Sequence, residues 1–258
     1  MNFHMKKLLF IRIKTIVSLV GMFSCYCSIL NAQELYPSVK LGSQEWMISN
    51  LSIVTFRNGD TIPLAKTAEE WEKAGENGQP AWCYYDNNTL NGEKFGKLYN
   101  WYAVNDSRGL APIGWHIASD KEWKQLSDYM GGEKLAGKKL KSSEGWNTYK
   151  GKGTCKNCEK WGAEYKAGNS CNVCKDKRQT SGIFPGDGTD EFGFRSLAAG
   201  YRFGDGYFSK IGEFAGWWTA TDAATHYTWS RTLVSKSAQL YRTFYDKEDG
   251  LSVRCIKD

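Results

Sequence analysis

Gly114-Trp115-His116-Ile117-Ala118-Ser119-Asp120-Lys121-Glu122-Trp123 packs three structural signals into ten residues. Pro112 to Gly114 reverses the chain, Trp115 to Ile117 is extended, and Ser119 begins a helix. Ser119 followed three residues later by Glu122 fits a capping box: the serine oxygen accepts from the third helical N–H and the glutamate reaches back. Trp123, Leu126 and Met130 then recur at helical spacing, so one face of that helix is apolar and needs covering. His116 lies between two large apolar neighbours, which predicts a satisfied, partly buried imidazole rather than a catalytic base.

Upstream, Val39 and Leu41 alternate, Gly42-Ser43 is a turn, and Glu45 to Ile48 and Leu51 to Phe56 continue the strand-like pattern. Asn58-Gly59-Asp60 is a second turn. Thr67 with Glu70 repeats the capping box, and Ala68, Trp71 and Ala74 share one face of a short helix that the Gly75 to Gly78 turn ends. Ala81 to Tyr85 is a compact strand candidate closed by Asp86-Asn87-Asn88. Leu98 to Val104 is too aromatic for a surface loop and predicts a buried short helix, with a buried strand as the alternative. Downstream, the central helix ends at Gly131-Gly132, and Leu135 to Leu140 adds a further helical turn. Strand patterns resume at Phe192 to Leu197 and Tyr201 to Phe203. They continue at Tyr207-Phe208, Trp217 to Thr221, Tyr227 to Val234, Ala238 to Tyr245 and Leu251 to Ile256. The chain is therefore expected to be α+β, with short helices in the first half and twisted antiparallel strands in the second.

The 258 residues are enough for a substantial core, and 11 Trp, 14 Tyr and 27 Gly against 5 Pro describe an aromatic-filled, turn-rich domain. Residues 1–32 stand apart. Lys6, Lys7, Arg12 and Lys14 precede a mostly apolar run from Ile16 to Leu30, and Leu30-Asn31-Ala32 offers a cleavage site, so this segment reads as a signal peptide. The run is shorter than the ~20 residues a membrane span needs. A lipoprotein processed at Cys25 is the alternative, although Met22 stands where leucine is usual. Removing residues 1–32 takes the net charge from +6 to about +2, which leaves no global basis for nucleic-acid binding. Residues 33–258 are expected to form one secreted or cell-surface domain with no remaining transmembrane segment, in an oxidising compartment.

Residues 141–190 interrupt the pattern with glycine, lysine and serine. Cys155 and Cys158, then Cys171 and Cys174, form two CxxC knuckles separated by 12 residues. That spacing suits tetrahedral thiolate coordination of a structural zinc ion, with two disulfides as the alternative outside the cytoplasm. The lobe at about 150–180 has few large apolar groups, so a metal or covalent staple must supply its order. It carries eight basic against three acidic residues. Cys83 and Cys255 remain, each in an apolar strand candidate, and an even remainder suggests one disulfide, with two buried thiols as the alternative.

Several motifs recur in a fixed order: Trp46-Met47 with Asn50-Leu51, Gly59-Asp60, Trp82 to Asp86, Gly96 to Tyr102, Gly114 to Trp123, Gly193-Phe194, Gly200-Tyr201-Arg202, Trp217 to Thr221, and Gly250 to Cys255. In that order they resemble the Fibrobacter succinogenes major paralogous domain from about Val39 to Asp258, with residues 141–190 carrying an insertion. The resemblance implies a C-type lectin-like fold shared with formylglycine-generating enzymes, and an exported protein of unassigned molecular function. The late cysteine motif on which those enzymes depend has no counterpart here, so their activity is not carried over.

No nucleophile sits in a recognisable setting beside His116 or His226, which leaves acyl transfer without support. Asp187-Gly188-Thr189-Asp190-Glu191 could hold Ca²⁺ through carboxylates, with a solvated turn as the alternative. The aromatics of the second half are too dense for all to be core, and Tyr201, Tyr207, Trp217, Trp218 and Trp229 are the candidate ligand surface. These observations predict a non-catalytic binding or structural module that recognises a glycan or another cell-surface component. The alternative is an adhesin or assembly protein that meets a partner protein through the basic cysteine lobe.

Overall fold

A computed structural model describes residues 36–152, 181–184 and 186–258. β1 (Ser38–Leu41) and β2 (Gln44–Met47) form the first hairpin, in register Val39 with Trp46. Its turn places Gly42 at φ +64°, a conformation that favours glycine. α1 (Ala68–Glu76) starts at the Thr67/Glu70 capping box and buries Trp71. β3 (Trp82–Cys83) pairs with β4 (Leu98–Tyr99). Between these strands lie a 3₁₀ turn, Tyr85–Asn87, and α2 (Thr89–Phe95). The aromatic run after Gly96 satisfies both readings of it: β4 gives way at Asn100 to α3 (Trp101–Val104), where Asn100 Oδ1 accepts from the N–H of Ala103.

β5 (Trp115–Ile117) leads through the Ser119/Glu122 capping box into α4 (Asp120–Tyr129), and α5 (Glu133–Leu140) follows. β6 (Tyr149–Lys152) and β7 (Ser181–Phe184) pair antiparallel, Lys152 with Ser181. Residues 153–180, and with them Cys155, Cys158, Cys171 and Cys174, lie outside the described residues. β8 (Tyr201–Arg202) and β9 (Phe208–Ser209) make a small hairpin. β10 (Phe214–Asp222), β11 (Tyr227–Val234) and β12 (Tyr241–Asp246) form an antiparallel meander with a bulge between Trp218 and Asp222. Finally β13 (Cys255–Lys257) inserts between β2 and β5, completing the sheet β1-β2-β13-β5. The architecture is α+β in several small antiparallel sheets. All described helices precede residue 141, but strands occur in both halves. Leu51 to Phe56 and Phe192 to Leu197 are loops, held by bridges such as Thr55 with Thr61 instead of continuous strand pairing.

Trp46, Trp123, Phe194 and Trp217 join these layers. Trp123 lies with its ring centre 4.7 Å from Trp46, 5.3 Å from Trp217 and 5.9 Å from Phe194. Such pairs contribute about 0.5–1.5 kcal/mol each beyond simple burial. Leu126 and Met130 complete the inward face of α4, fully buried as their spacing predicts.

The interior also holds cations. Arg202 donates to the carbonyls of Ala65, Thr67 and Gly206 and lies 4.6 Å from the Phe208 ring centre and 4.8 Å from that of Trp71. Lys97 Nζ donates to Ser52 O and Oγ between the rings of Trp82 and Tyr84. Lys141 Nζ donates to the carbonyls of Gly186, Ser235 and Ser237 above Trp146, at the root of the β6–β7 excursion. Burial pulls the pKa of Lys141 down to about 8. Carbonyl dipoles and ring faces, rather than carboxylates, hydrogen-bond and cover these buried charges.

Candidate functional site

One face of the meander combines exposed rings with fixed charge. Residues two apart on a strand share a face. Tyr227, Trp229 and Arg231 of β11 therefore stand opposite Asp246, Phe244 and Arg242 of β12. Covering by α4 and α5 ends partway along this face. Arg231 is 1% exposed, whereas Tyr227 is 44% and Phe244 59% exposed. Trp229 is half-buried. The Tyr227 and Phe244 ring centres are 5.5 Å apart and those of Trp229 and Phe244 6.2 Å apart, both edge to face.

Asp120, the first residue of α4, organises the charged end. Its Oδ1 accepts from Arg231 Nη2 at 2.8 Å and its Oδ2 from Arg242 Nε at 2.9 Å, while Arg231 Nη1 donates to Glu133 at 2.9 Å. Arg242 lays its guanidinium 3.2 Å from the centre of the Trp229 ring. Arg242 is thus held from below by a ring and from one edge by a carboxylate, with over a third of its side chain in solvent. A planar cation beside exposed rings can stack on a flat ligand and donate hydrogen bonds at its margin.

The structure divides the aromatic candidates. Trp217, Trp218 and Tyr201 are core residues and no ligand surface. Trp217 packs on Trp123 and donates to Asn50 Oδ1, Trp218 donates to the carbonyl of Tyr99, and Tyr201 packs between Phe203 and Phe214. β10 is covered on both faces, which is why six consecutive residues from Phe214 to Thr219 are buried. Tyr207, 70% exposed, stands at the tip of the β8–β9 hairpin. Trp229 belongs to the face described above. Phe244, Arg242 and Asp120 carry no sequence signal of their own: β12 exposes every second residue, but from Arg242 to Asp246 its residue types do not alternate.

The expected Cys83–Cys255 disulfide is not formed. Both are free, buried thiols: Cys83 lies in β3 among Trp71, Tyr85 and Leu98, and Cys255 in β13 opposite Ile117. Burial pushes each thiol up to about 12, so they behave as small apolar groups. The Asp187 to Glu191 loop uses its carboxylates locally, Asp187 accepting from the N–H of Trp146 and Asp190 from that of Arg195. Among the described residues, no group of three or more His, Cys, Asp or Glu is placed to hold a metal ion.

His116 bridges two carboxylates, Nε2 to Glu122 and Nδ1 to Asp258, each at 2.8 Å. Burial opposes its protonation, but the hydrogen bonds and charges of Glu122 and Asp258 outweigh burial and raise its pKa. Glu122 is the capping-box residue, so the imidazole ties the start of α4 to the end of the sheet. The exposed His226 uses its carbonyl to accept from the N–H of Lys247.

The molecule is thus an α+β domain whose exposed aromatic face sits at the end of a three-stranded meander. The family profile of the Fibrobacter succinogenes major domain matches residues 39–257, and the chain belongs to that family. No curated protein and no solved structure matches the chain. No helix among the described residues is long and apolar enough to cross a membrane.

Proposed function

We propose that the protein is an exported, non-catalytic binding module that recognises a cell-surface or matrix glycan through the face formed by Tyr227, Trp229 and Phe244. The observation that carries this reading is the fixed array of rings left in solvent. Leaving a large ring unburied forgoes about 1.5–3 kcal/mol of transfer free energy, and a flat ring is the shape that stacks on the apolar face of a sugar. The Asp120–Arg242–Trp229 stack holds the array in place, which lowers the ordering cost of binding. Export is supported by the signal-peptide pattern of residues 1–32, and a C-type lectin-like relationship by the ordered motifs from Trp46 to Cys255. The test is a glycan array with polysaccharide pull-down, using wild type and a Tyr227→Ala/Phe244→Ala double variant. Wild-type retention that falls at least tenfold in the variant, with an unchanged melting temperature, is the expected result. No retained glycan for wild type overturns the reading.

A second reading, adhesion or assembly through the basic lobe, is supported by the eight basic against three acidic residues at about 150–180. In it, Cys155, Cys158, Cys171 and Cys174 hold one structural zinc ion. Elemental analysis with thiol counting separates zinc and four thiols from two disulfides. An unchanged set of co-purifying proteins after deleting residues 150–180 sinks the assembly role.

A further inference from the structure

The proposed glycan face carries a polarity that selects the class of sugar, and we infer that its ligand is a hexuronate, a sugar ring bearing a carboxylate. This inference rests on the aromatic face being a glycan site. On β12, Arg242, Phe244 and Asp246 point to the same side, so Phe244 stands about 7 Å from each charged neighbour along the strand. One end of the ring platform is cationic and the other anionic.

The orientation of Arg242 sets the chemistry. Its Nε edge is bonded to both oxygens of Asp120, at 3.1 and 2.9 Å, and one face is stacked on Trp229. Among the described residues its two Nη groups carry no hydrogen bond, and the side chain is 38% exposed. A guanidinium held this way presents a prearranged pair of parallel N–H donors, the geometry that matches a carboxylate. Arg231 and Glu133 complete the set behind it: Asp120 is shared by two arginines, so it fixes Arg242 without consuming its outer fork.

A pyranose stacked on Phe244 carries its C6 substituent at the ring margin. With C6 as a carboxylate, that group reaches the Arg242 fork. The hydroxyls at the opposite side of the ring then face Asp246 and the Tyr227 hydroxyl, which accept and donate hydrogen bonds. The reversed pose places the carboxylate beside Asp246, where like charges repel. A neutral hexose stacks on the same ring but leaves the fork without an anionic partner. Binding of the acidic form should therefore weaken as salt screens the pair, and binding of a neutral sugar should not.

The test measures affinity of the full exported chain for polygalacturonate, alginate and hyaluronan, and for the carboxyl-reduced, neutral form of each. Variants are Arg242→Gln, Arg242→Lys and Phe244→Ala, each checked by melting temperature. At least one acidic polymer should bind at least tenfold tighter than its reduced form. Arg242→Gln should bring the acidic polymer down to the affinity of its reduced form, Arg242→Lys should restore only part of the difference, and Phe244→Ala should weaken both forms. If reduced polymers bind as tightly as acidic ones, or Arg242→Gln leaves the preference intact, the hexuronate assignment is overturned and the glycan reading stands. Binding to a sulfated neutral polymer but to no uronate also overturns the assignment. If wild type binds no polymer of either kind, both readings fail together.

Discussion

Arg254 donates from Nη2 to Oδ1 of Asn50 at 3.0 Å, although 204 residues separate them in the chain. The same amide oxygen accepts from Trp217 Nε1, and Arg254 Nη1 donates to the carbonyls of Met47 and Phe194, both at 2.8 Å. The guanidinium also lies 4.4 Å from the centre of the Phe194 ring. A charge usually found at the surface is here the tie between the first hairpin, the central loop and the last strand.

Arg254→Met should therefore destabilise strongly. It leaves the carbonyls of Met47 and Phe194 without this donor, at about 1–3 kcal/mol for each buried unsatisfied group. A loss of about 3 kcal/mol or more is expected in urea unfolding, a large share of the ~5–15 kcal/mol typical of a domain. Arg254→Lys should recover little, because one ammonium lacks the planar fork that reaches the Met47 and Phe194 carbonyls from Nη1 and the Asn50 amide from Nη2. An Arg254→Met midpoint equal to wild type would contradict this account.

Trp123 gives a different result, because its Nε1 has no hydrogen-bond acceptor among the described residues although the ring is fully buried. Trp123→Ala should cost about 3–5 kcal/mol through the cavity among Trp46, Phe194 and Trp217. Trp123→Phe removes the orphaned donor while keeping a ring, and its cost should stay below ~1.5 kcal/mol. Calorimetric unfolding of the two variants measures the difference; equal costs would mean the indole N–H is satisfied in solution.

His116 makes stability depend on pH in a defined direction. Burial alone lowers its pKa, but hydrogen bonds to Glu122 and Asp258, with their charges, raise it above the ordinary 6.5. The folded state therefore binds the proton more tightly than the unfolded state. The contribution is complete below about pH 6.5 and is lost as pH rises through the raised folded value. On the acid side, burial raises the Glu122 pKa, but hydrogen bonds from Ser119 and His116 outweigh it and hold it below 4.5. That contribution is present above pH 4.5 and lost as pH falls through the folded value. Unfolding free energy measured from pH 4 to 9 should show wild type losing its advantage over His116→Gln above neutrality. Parallel curves for the two proteins across that range would remove His116 as the titrating group.

Local signals were readable and layered ones were not. Both capping boxes formed because cap and partner are three residues apart, so the sequence contains the whole interaction. α2 escaped because it has no apolar periodicity; its start depends on Asn88 accepting from the N–H of Leu90, and Gly92 lies against Tyr84. Trp217 and Trp229 occupy similar strand patterns, yet helices cover one and not the other, and covering is a property of the assembled layers. Arg242 lies in a strand whose residue types do not alternate, and its clamp by Asp120 joins residues 122 apart. Arg202 was unreadable as a buried group because its partners are backbone carbonyls, which carry no residue identity, and Arg254 because its partners, the Asn50 amide and the carbonyls of Met47 and Phe194, are far away in the chain.

The insertion of β13 between β2 and β5 has a kinetic consequence. A chain growing from its N-terminus makes both flanking strands long before the strand that separates them, so the sheet stays open until residues 255–257 emerge. Closure then joins segments more than 100 residues apart, a slow class of event because loop entropy is lost before the contacts form. Closure of this sheet is therefore expected to limit folding, with β13 acting as the latch between β2 and β5.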